Sequence, residues 1–252
     1  MDRPSEPLIL MYHSIGLSPA PTGIPPEVFR MQIETIAGLG YTTISFETFN
    51  AWHAGKDVLP SLPVLITFDD GFADFADVAF PVLNAHGYRA TVFLPTHHVG
   101  KLEDWSGAHI PPRRLMNWST AADLVKEGID FGGHTCTHRD LTRLTMSELV
   151  REIRVCREDI EKHLGFTPVS FAPPYGLAGV REREEIRKCF TVSVGTRLSR
   201  ANRKCDRYDV PRIEMHYFRN PKRWRNFVGG NGEWHFRIRR TVREARKFVK
   251  PI

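Results

Sequence analysis

No apolar run in this chain of 252 residues approaches the length of a membrane span. The start, Met1-Asp2-Arg3-Pro4-Ser5-Glu6, has no basic stretch leading into an apolar core, and the first hydrophobic run, from Leu8, is only strand-sized. The expectation is a cytoplasmic chain without an export signal. Cysteine is scarce: Cys136, Cys156, Cys189 and Cys205 show no paired spacing, which argues against a disulfide scaffold and for free thiols in a reducing compartment. No internal repeat stands out. No recognition module accompanies the basic residues, so specific nucleic-acid binding is not expected.

What is present suffices for one large core. With 41% hydrophobic and 25% charged residues, the length suits a single α/β barrel-like domain. Helical and strand-like stretches alternate. Pro26 to Leu39 reads as a helix before a strand at Tyr41 to Ser45, and a strand from Val64 to Phe68 precedes a helix from Phe72 to His86. Tyr88 to Leu94 is again strand-like, and a helix from Ser119 to Glu127 precedes Phe131. Thr145-Met146-Ser147-Glu148 opens a helix to about Leu164, with Thr145 or Ser147 as cap and Gly165 as stop. Further strands follow at Val169 to Ala172 and Asp209 to Glu214. The pattern predicts a mostly parallel sheet with covering helices, its chemistry collected at strand ends. Thr96 to Asn117, with Gly100, Gly107 and Pro111-Pro112, reads as a long loop.

Two clusters carry chemistry. Thr67-Phe68-Asp69-Asp70-Gly71 closes the apolar run Leu62 to Ile66 and sets two adjacent carboxylates at a strand end. Neighbouring strand side chains face opposite ways, so both acids stay in one site only if the strand ends there and Gly71 turns the chain. The plainer alternative is that Asp70 caps a helix starting near Phe72. Downstream, Phe131-Gly132-Gly133-His134-Thr135-Cys136-Thr137-His138 places two histidines four apart. On one helical turn that spacing puts both imidazoles on one side, where Asp70 would complete a set of two histidines and one carboxylate around a cation. Cys136, between them, should point away as a small buried residue.

These residues resemble the polysaccharide deacetylases, the carbohydrate esterases similar to chitooligosaccharide deacetylase. The family's first motif, Thr-Phe-Asp-Asp-Gly, is matched by residues 67–71, and its second, His-(Ser or Thr)-x-x-His, by His134, Thr135 and His138. A third, usually Arg-x-Pro-Tyr-Gly, aligns with Ala172-Pro173-Pro174-Tyr175-Gly176, and the similarity runs from about Leu8 to Glu214. The resemblance implies a deformed (β/α) barrel of polysaccharide-deacetylase type and metal-dependent removal of an acetyl group from an N-acetylated sugar such as N-acetylglucosamine. It implies Asp69 as general base and Asp70, His134 and His138 as ligands of one divalent ion, zinc first, with cobalt, nickel or manganese as alternatives. The backbone N–H of Tyr175, on a loop stiffened by Pro173 and Pro174, would serve the oxyanion.

Two departures stand out. Ala172 occupies the place of an arginine that pairs with the base, and Arg212 is the candidate substitute. The late segment that carries the general acid is also indistinct, since His216 sits in poor context. His13, ending the apolar strand from Leu8, resembles the N-terminal segment of family members whose motif order is permuted, and is the expected acid. In a closed barrel the first and last strands are neighbours, so a catalytic histidine can change ends of the chain without moving in space.

Residues 1–218 are expected to form the catalytic domain and 219–252 a basic extension, with eleven Lys or Arg against Glu233 and Glu244. Ile238, Val242, Ala245 and Val249 recur at helical spacing within it, which suggests an amphipathic helix. Such a helix packs on the barrel or attaches peripherally to an anionic membrane surface. Trp118, and after it Trp105, are candidates for contact with the sugar. The alternatives are an amide hydrolase acting on a non-sugar and a non-catalytic carbohydrate-binding homologue.

Overall fold

The computed structural model describes residues 6–18, 21–105, 107–108 and 110–230. In chain order its elements are β1 (Leu8–Tyr12), β2 (Ser14–Ile15), β3 (Gly23–Ile24), α1 (Pro26–Gly38), β4 (Thr42–Thr43), α2 (Phe46–His53), β5 (Pro63–Phe68), α3 (Phe80–Asn84) and β6 (Thr91–Leu94). They continue with α4 (Trp118–Lys126), β7 (Asp130–Gly133), α5 (Met146–Leu164), β8 (Ser170–Phe171), α6 (Val180–Cys189), β9 (Val192–Leu198), β10 (Val210–Glu214) and α7 (Pro221–Val228). The helix expected from Phe72 begins later, as a π-helical turn over Phe75–Ala79 that runs into α3. α5 has the predicted start: Thr145 and Glu148 bond each other's backbone N–H in a capping box.

Seven parallel strands close into a ring, in the order β1, β10, β9, β8, β7, β6, β5, sealed by the pairing of β1 with β5. β4 adds to the first residues of β5, and β2 and β3 make a separate two-stranded piece. This is the deformed (β/α) barrel that the motifs imply. Strands β1, β5 and β6 are buried along their whole length, as strands covered on both faces must be. Their alternate residues part into two cores. Leu8, Leu10, Val64, Ile66 and Val92 pack outward with Phe29, Ile33 and Ile36 of α1, whereas Ile9, Leu65, Phe93, Val192 and Val210 fill the lumen. Helix α2 supplies Phe46, Phe49 and Trp52 to the lumen cluster, against residues early in their strands, and so plugs the end opposite the motifs.

Of the extension expected from residue 219, the described part contains α7. Helix α7 belongs to the barrel's cover: Trp224 is fully buried, donates from Nε1 to Gln32 O at 2.9 Å, and packs with Phe227 and Val228 in the outer core. The amphipathic stretch expected further on lies outside the described residues.

Gly132 of β7 marks how tightly the lumen is filled. A Cβ there would lie 2.6 Å from Phe93 Cε1 and 2.7 Å from Ser170 O, and the latter is backbone that cannot swing aside. Gly132→Ala should therefore destabilise the fold by about 1–3 kcal/mol or more, read as a lower denaturant midpoint at unchanged slope. An unchanged midpoint would mean that β7 has slack.

Candidate active site

Strand β5 runs out at Phe68, and Asp69 extends its ladder with β1 by one bond, donating from N–H to Tyr12 O at 2.9 Å. Asp70 then takes a left-handed backbone, φ 73°, followed by Gly71 at φ 67°. That reversal keeps two consecutive carboxylates at one opening, where a continuing strand would send them to opposite faces. Gly71 is required because a Cβ would meet Leu94 Cδ2 at 2.5 Å. Asp70 caps no helix, since its carboxylate goes to two histidines.

Asp70 Oδ1 lies 3.2 Å from His134 Nε2 and 3.1 Å from His138 Nε2, and the three donor atoms lie within 4.8 Å of one another. His134 follows the end of β7, where its Nδ1 meets Ala172 O at 2.5 Å. That bond takes the Nδ1 proton and turns Nε2 toward Asp70, where it donates to the carboxylate, or would offer its lone pair to a cation once deprotonated. Burial pushes the Asp70 carboxyl up, but hydrogen bonds from His134 and His138 outweigh it and hold the group well below its ordinary range.

The histidines do not share a helical turn, and that expectation is corrected. Residues 134–138 form an irregular loop in which Thr135, at φ 67°, and His138, at φ 55°, are left-handed. Glu152 of α5, for which the sequence offers no signal, shapes this loop. Its buried carboxylate accepts from the N–H of Cys136 and Thr137 at 2.9 Å and from Thr137 Oγ1 at 2.7 Å, while Thr135 Oγ1 accepts from His138 N at 2.9 Å. Cys136 packs with Cys156 and Ile160 of α5, and burial pushes its thiol up to about 12.

Asp69 is gripped by Arg212 of β10, which crosses the lumen to donate from Nη1 to Oδ1 at 2.6 Å and from Nη2 to Oδ2 at 2.7 Å. Arg212 is itself fixed by Gly195 O at 3.0 Å and Thr67 Oγ1 at 3.1 Å. So the place of the arginine missing at Ala172 is taken from another strand. Burial raises the Asp69 carboxyl, the charge and hydrogen bonds of Arg212 outweigh that, and the net position is below the ordinary value, ionised at neutral pH. His13 follows β1, and its Nε2 is 3.9 Å from Asp69 Oδ2, near but beyond hydrogen-bond length. Glu214 stands beside it in register with Met11; burial raises its carboxyl and the nearby His13 pulls the other way. His216 lies in the turn after β10, against Tyr217.

A cleft of about 900 Å³ opens beside His138, with Trp105, Arg139 and Tyr175 among its walls. Trp105 lies over the His138 ring at 4.3 Å and Tyr175 meets it edge-on at 5.0 Å. Tyr175 is left-handed, φ 60°, after the buried Pro174. The loop that carries Trp105 is tied down by Arg113, whose guanidinium forks onto the buried Glu103 at 2.7 and 2.8 Å and sits 3.9 Å above the Phe72 ring. Trp118, the other candidate for sugar contact, is not among the residues lining this cleft. It opens α4 and stacks on His163 of α5 at 4.4 Å, packing the seam between two helices. Of the two tryptophans, the one on the loop faces the cleft.

The fold and site together are a closed parallel (β/α) barrel with a buried trio of one aspartate and two histidines at its mouth. The family model "Polysaccharide deacetylase" matches residues 57–190, over half of the chain, and the chain belongs to that family. YxkH of Bacillus subtilis (strain 168), named for the same family, is 27% identical over 222 residues, 85% of this chain and 73% of its own length. The chitin deacetylase of Pestalotiopsis sp is 26% identical over 110 residues, 44% of this chain and 33% of that enzyme. Among solved structures, IcaB from Ammonifex degensii shares the fold with a TM-score of 0.74 at 23% identity, covering 89% of this chain and 96% of that one.

Arg212→Met would leave Asp69 buried without its counter-charge. The Asp69 carboxyl should then rise, carrying the acidic limb of the pH–rate profile toward neutral pH, and stability should fall by roughly 3–5 kcal/mol, as when one partner of a buried pair is removed. Arg212→Lys, which keeps the charge and loses the fork, should lie between. An unmoved acidic limb in both variants would detach Asp69 from that ionisation.

Proposed function

We propose that the chain is a metal-dependent hydrolase that removes the N-acetyl group from an N-acetylated sugar, in an oligo- or polysaccharide or on a carrier. One observation carries this reading: a buried trio of ligand type, a second carboxylate kept ionised by a buried arginine, and an imidazole on that carboxylate's far side meet at one opening. Asp70, His134 and His138 suit a divalent cation, because two Nε2 atoms and one carboxylate oxygen converge and the Ala172 carbonyl presents His134 in the ligating tautomer. Zinc matches this donor set best, with cobalt, nickel or manganese as alternatives. Bound there, such an ion would acidify a water and polarise the amide carbonyl.

The remaining steps belong to the chain's own groups. Asp69 takes the proton of the attacking water, and Arg212 holds that carboxylate in place and ionised beforehand. The Tyr175 N–H donates to the carbonyl oxygen as negative charge gathers on it. His13 protonates the nitrogen as the C–N bond breaks, since an amine leaves poorly without a proton. Trp105 and Tyr175 offer aromatic faces to the sugar ring. Family membership supports a sugar amide over a non-sugar one, and so does Arg212, which fills the gap at Ala172 that made the non-sugar reading worth carrying. A binding homologue without activity would have no use for base, trio and acid together.

The test is amine release from N-acetylated sugars, free, carrier-linked and polymeric, with and without added divalent metal. His134→Ala should lose bound metal and activity together. Asp69→Asn should keep the metal and lose roughly two to four orders of magnitude in turnover. Equal metal loss in the two variants would mean that the carboxylates are divided wrongly.

For residues 219–252 the proposed partner is an anionic membrane surface, on the strength of their excess of Lys and Arg. The protein should sediment with acidic vesicles at low salt and come off as salt rises. Failure to sediment at low salt removes that partner.

A further inference from the structure

His13 is bracketed by two ties to one short stretch of chain. On its N-terminal side, Tyr12 pairs with Phe68 in the β1–β5 ladder and its carbonyl accepts from Asp69 N. On its C-terminal side, the carboxylate of Asp74 accepts from Ile15 N at 3.0 Å through Oδ1 and from the buried Ser14 Oγ at 2.5 Å through Oδ2. Residues 68–74 therefore hold both flanks of His13 and also carry Asp69 and Asp70. Past His13 the described residues are also held by the packing of Ile15 in the outer core and by the β2–β3 pair, two residues a side, with Ser14 N on Thr22 O and Gly16 N on Ile24 O. A ladder that short is marginal by itself.

We propose that Asp74 is a positioning residue for His13, fixing the chain beyond Tyr12 so that the imidazole stays on the open side of Asp69. The proposal rests on the reading of His13 as the proton donor to the leaving nitrogen. Asp74 touches neither substrate nor the trio and acts only through the turn it holds. A carboxylate suits the task because it accepts two bonds on two oxygens, from a backbone N–H and a hydroxyl that are adjacent in the chain. Without it, Ser14 Oγ and Ile15 N lose their partner and His13 gains freedom on one side only, so the expected fault is imprecision in the acid and not loss of the fold or the metal.

The experiment compares Asp74→Ala, Asp74→Asn and Ser14→Ala with His13→Ala, in the full chain, on an N-acetylated sugar and on an activated aryl acetate. General acid catalysis is worth about 10²–10⁴-fold, and displacement of a catalytic group by an ångström costs on the order of 10². Asp74→Ala should therefore lower kcat on the N-acetyl sugar about tenfold to a hundredfold, with KM, bound metal and aryl acetate turnover retained, because an activated leaving group needs little proton. Asp74→Asn, which keeps an acceptor for Ile15 N, should recover most of the loss, and Ser14→Ala should show a smaller loss of the same selectivity. Added to His13→Ala, Asp74→Ala should cost nothing further. Equal losses on both substrates, full additivity with His13→Ala, or an undiminished kcat in Asp74→Ala would each overturn the proposal. If His13→Ala itself keeps full turnover of the N-acetyl sugar, the reading of His13 falls and the role of Asp74 falls with it. A selective His13→Ala beside an unselective Asp74→Ala removes Asp74 alone.

Discussion

Strand β1 is paired in parallel on both sides, and the site depends on those two ladders. Tyr12 faces Phe68 on β5, and Met11 faces Thr67 on one side and Glu214 of β10 on the other. His13 therefore emerges beside Asp69, and Arg212, two residues before Glu214, reaches Asp69 across the lumen. Thr67 joins the two ladders at their meeting point, donating to Leu10 O at 2.7 Å and accepting from Arg212 at 3.1 Å. A one-residue slip of β10 would send every one of its side chains to the opposite face. Arg212 would then lie among the covering helices, and Asp69 would be a buried charge without a partner. Register, set by continuous apolar runs and by which face is lumen, is thus the condition for the chemistry.

The mouth of the barrel is the strained part of the molecule. Among the described residues the non-glycine positions with left-handed backbone are Asp70, Thr135, His138 and Tyr175, all at or against the trio. Each such position costs on the order of 1–3 kcal/mol, and it persists only where the surroundings over-determine it. Here they do, through the Glu152 carboxylate under residues 136–137, the Thr135 hydroxyl under His138 and the Gly176 N bond to Pro173 O under Tyr175. Buried charges are handled similarly. Asp69 with Arg212 and Glu103 with Arg113 are forked pairs, whose fixed geometry recovers part of the cost of taking ions out of water. The gain is a site whose groups need little rearrangement to act, with the plug of α2 and the lumen core beneath serving as rigid floor.

Much of this was legible in the residues. Alternating apolar stretches gave the order of most strands and helices, the Thr145 capping box and Gly165 bounded α5, and two short motifs held the carboxylates and histidines of the trio. What escaped is what depends on approach in space. The four-residue spacing of His134 and His138 fits a helix, but the loop is bent by Glu152, far off in sequence and unremarkable among the other charged residues of an amphipathic helix. Trp118 and Trp105 look alike in a glycine- and proline-rich stretch, and only the pairing of α4 with α5 sends one into a helix seam and leaves the other over His138. Helix α2, with Phe46, Phe49 and Trp52, is too short to show a clear period, yet it closes one end of the barrel.

The two departures from the family's usual pattern share one geometric explanation. A side chain at a strand's C-terminal end points into a mouth common to all seven strands, so its usefulness depends on its position around the ring and its height, and not on chain order. The neighbouring pair β1 and β10 stands at the seam where first and last strands meet, so a histidine at the end of β1 occupies a position that a late segment could otherwise fill. By the same rule an arginine on β10, separated from β5 by β1 alone, can reach Asp69 at the mouth in place of a side chain at Ala172. The Ala172 backbone still serves the site, its carbonyl lying 2.5 Å from His134 Nδ1 and its N–H pairing with Gly133 O at 2.9 Å. The position without a charge toward Asp69 thus keeps a backbone hold on the trio, and the arginine, placed instead on a strand, is anchored by Gly195 O.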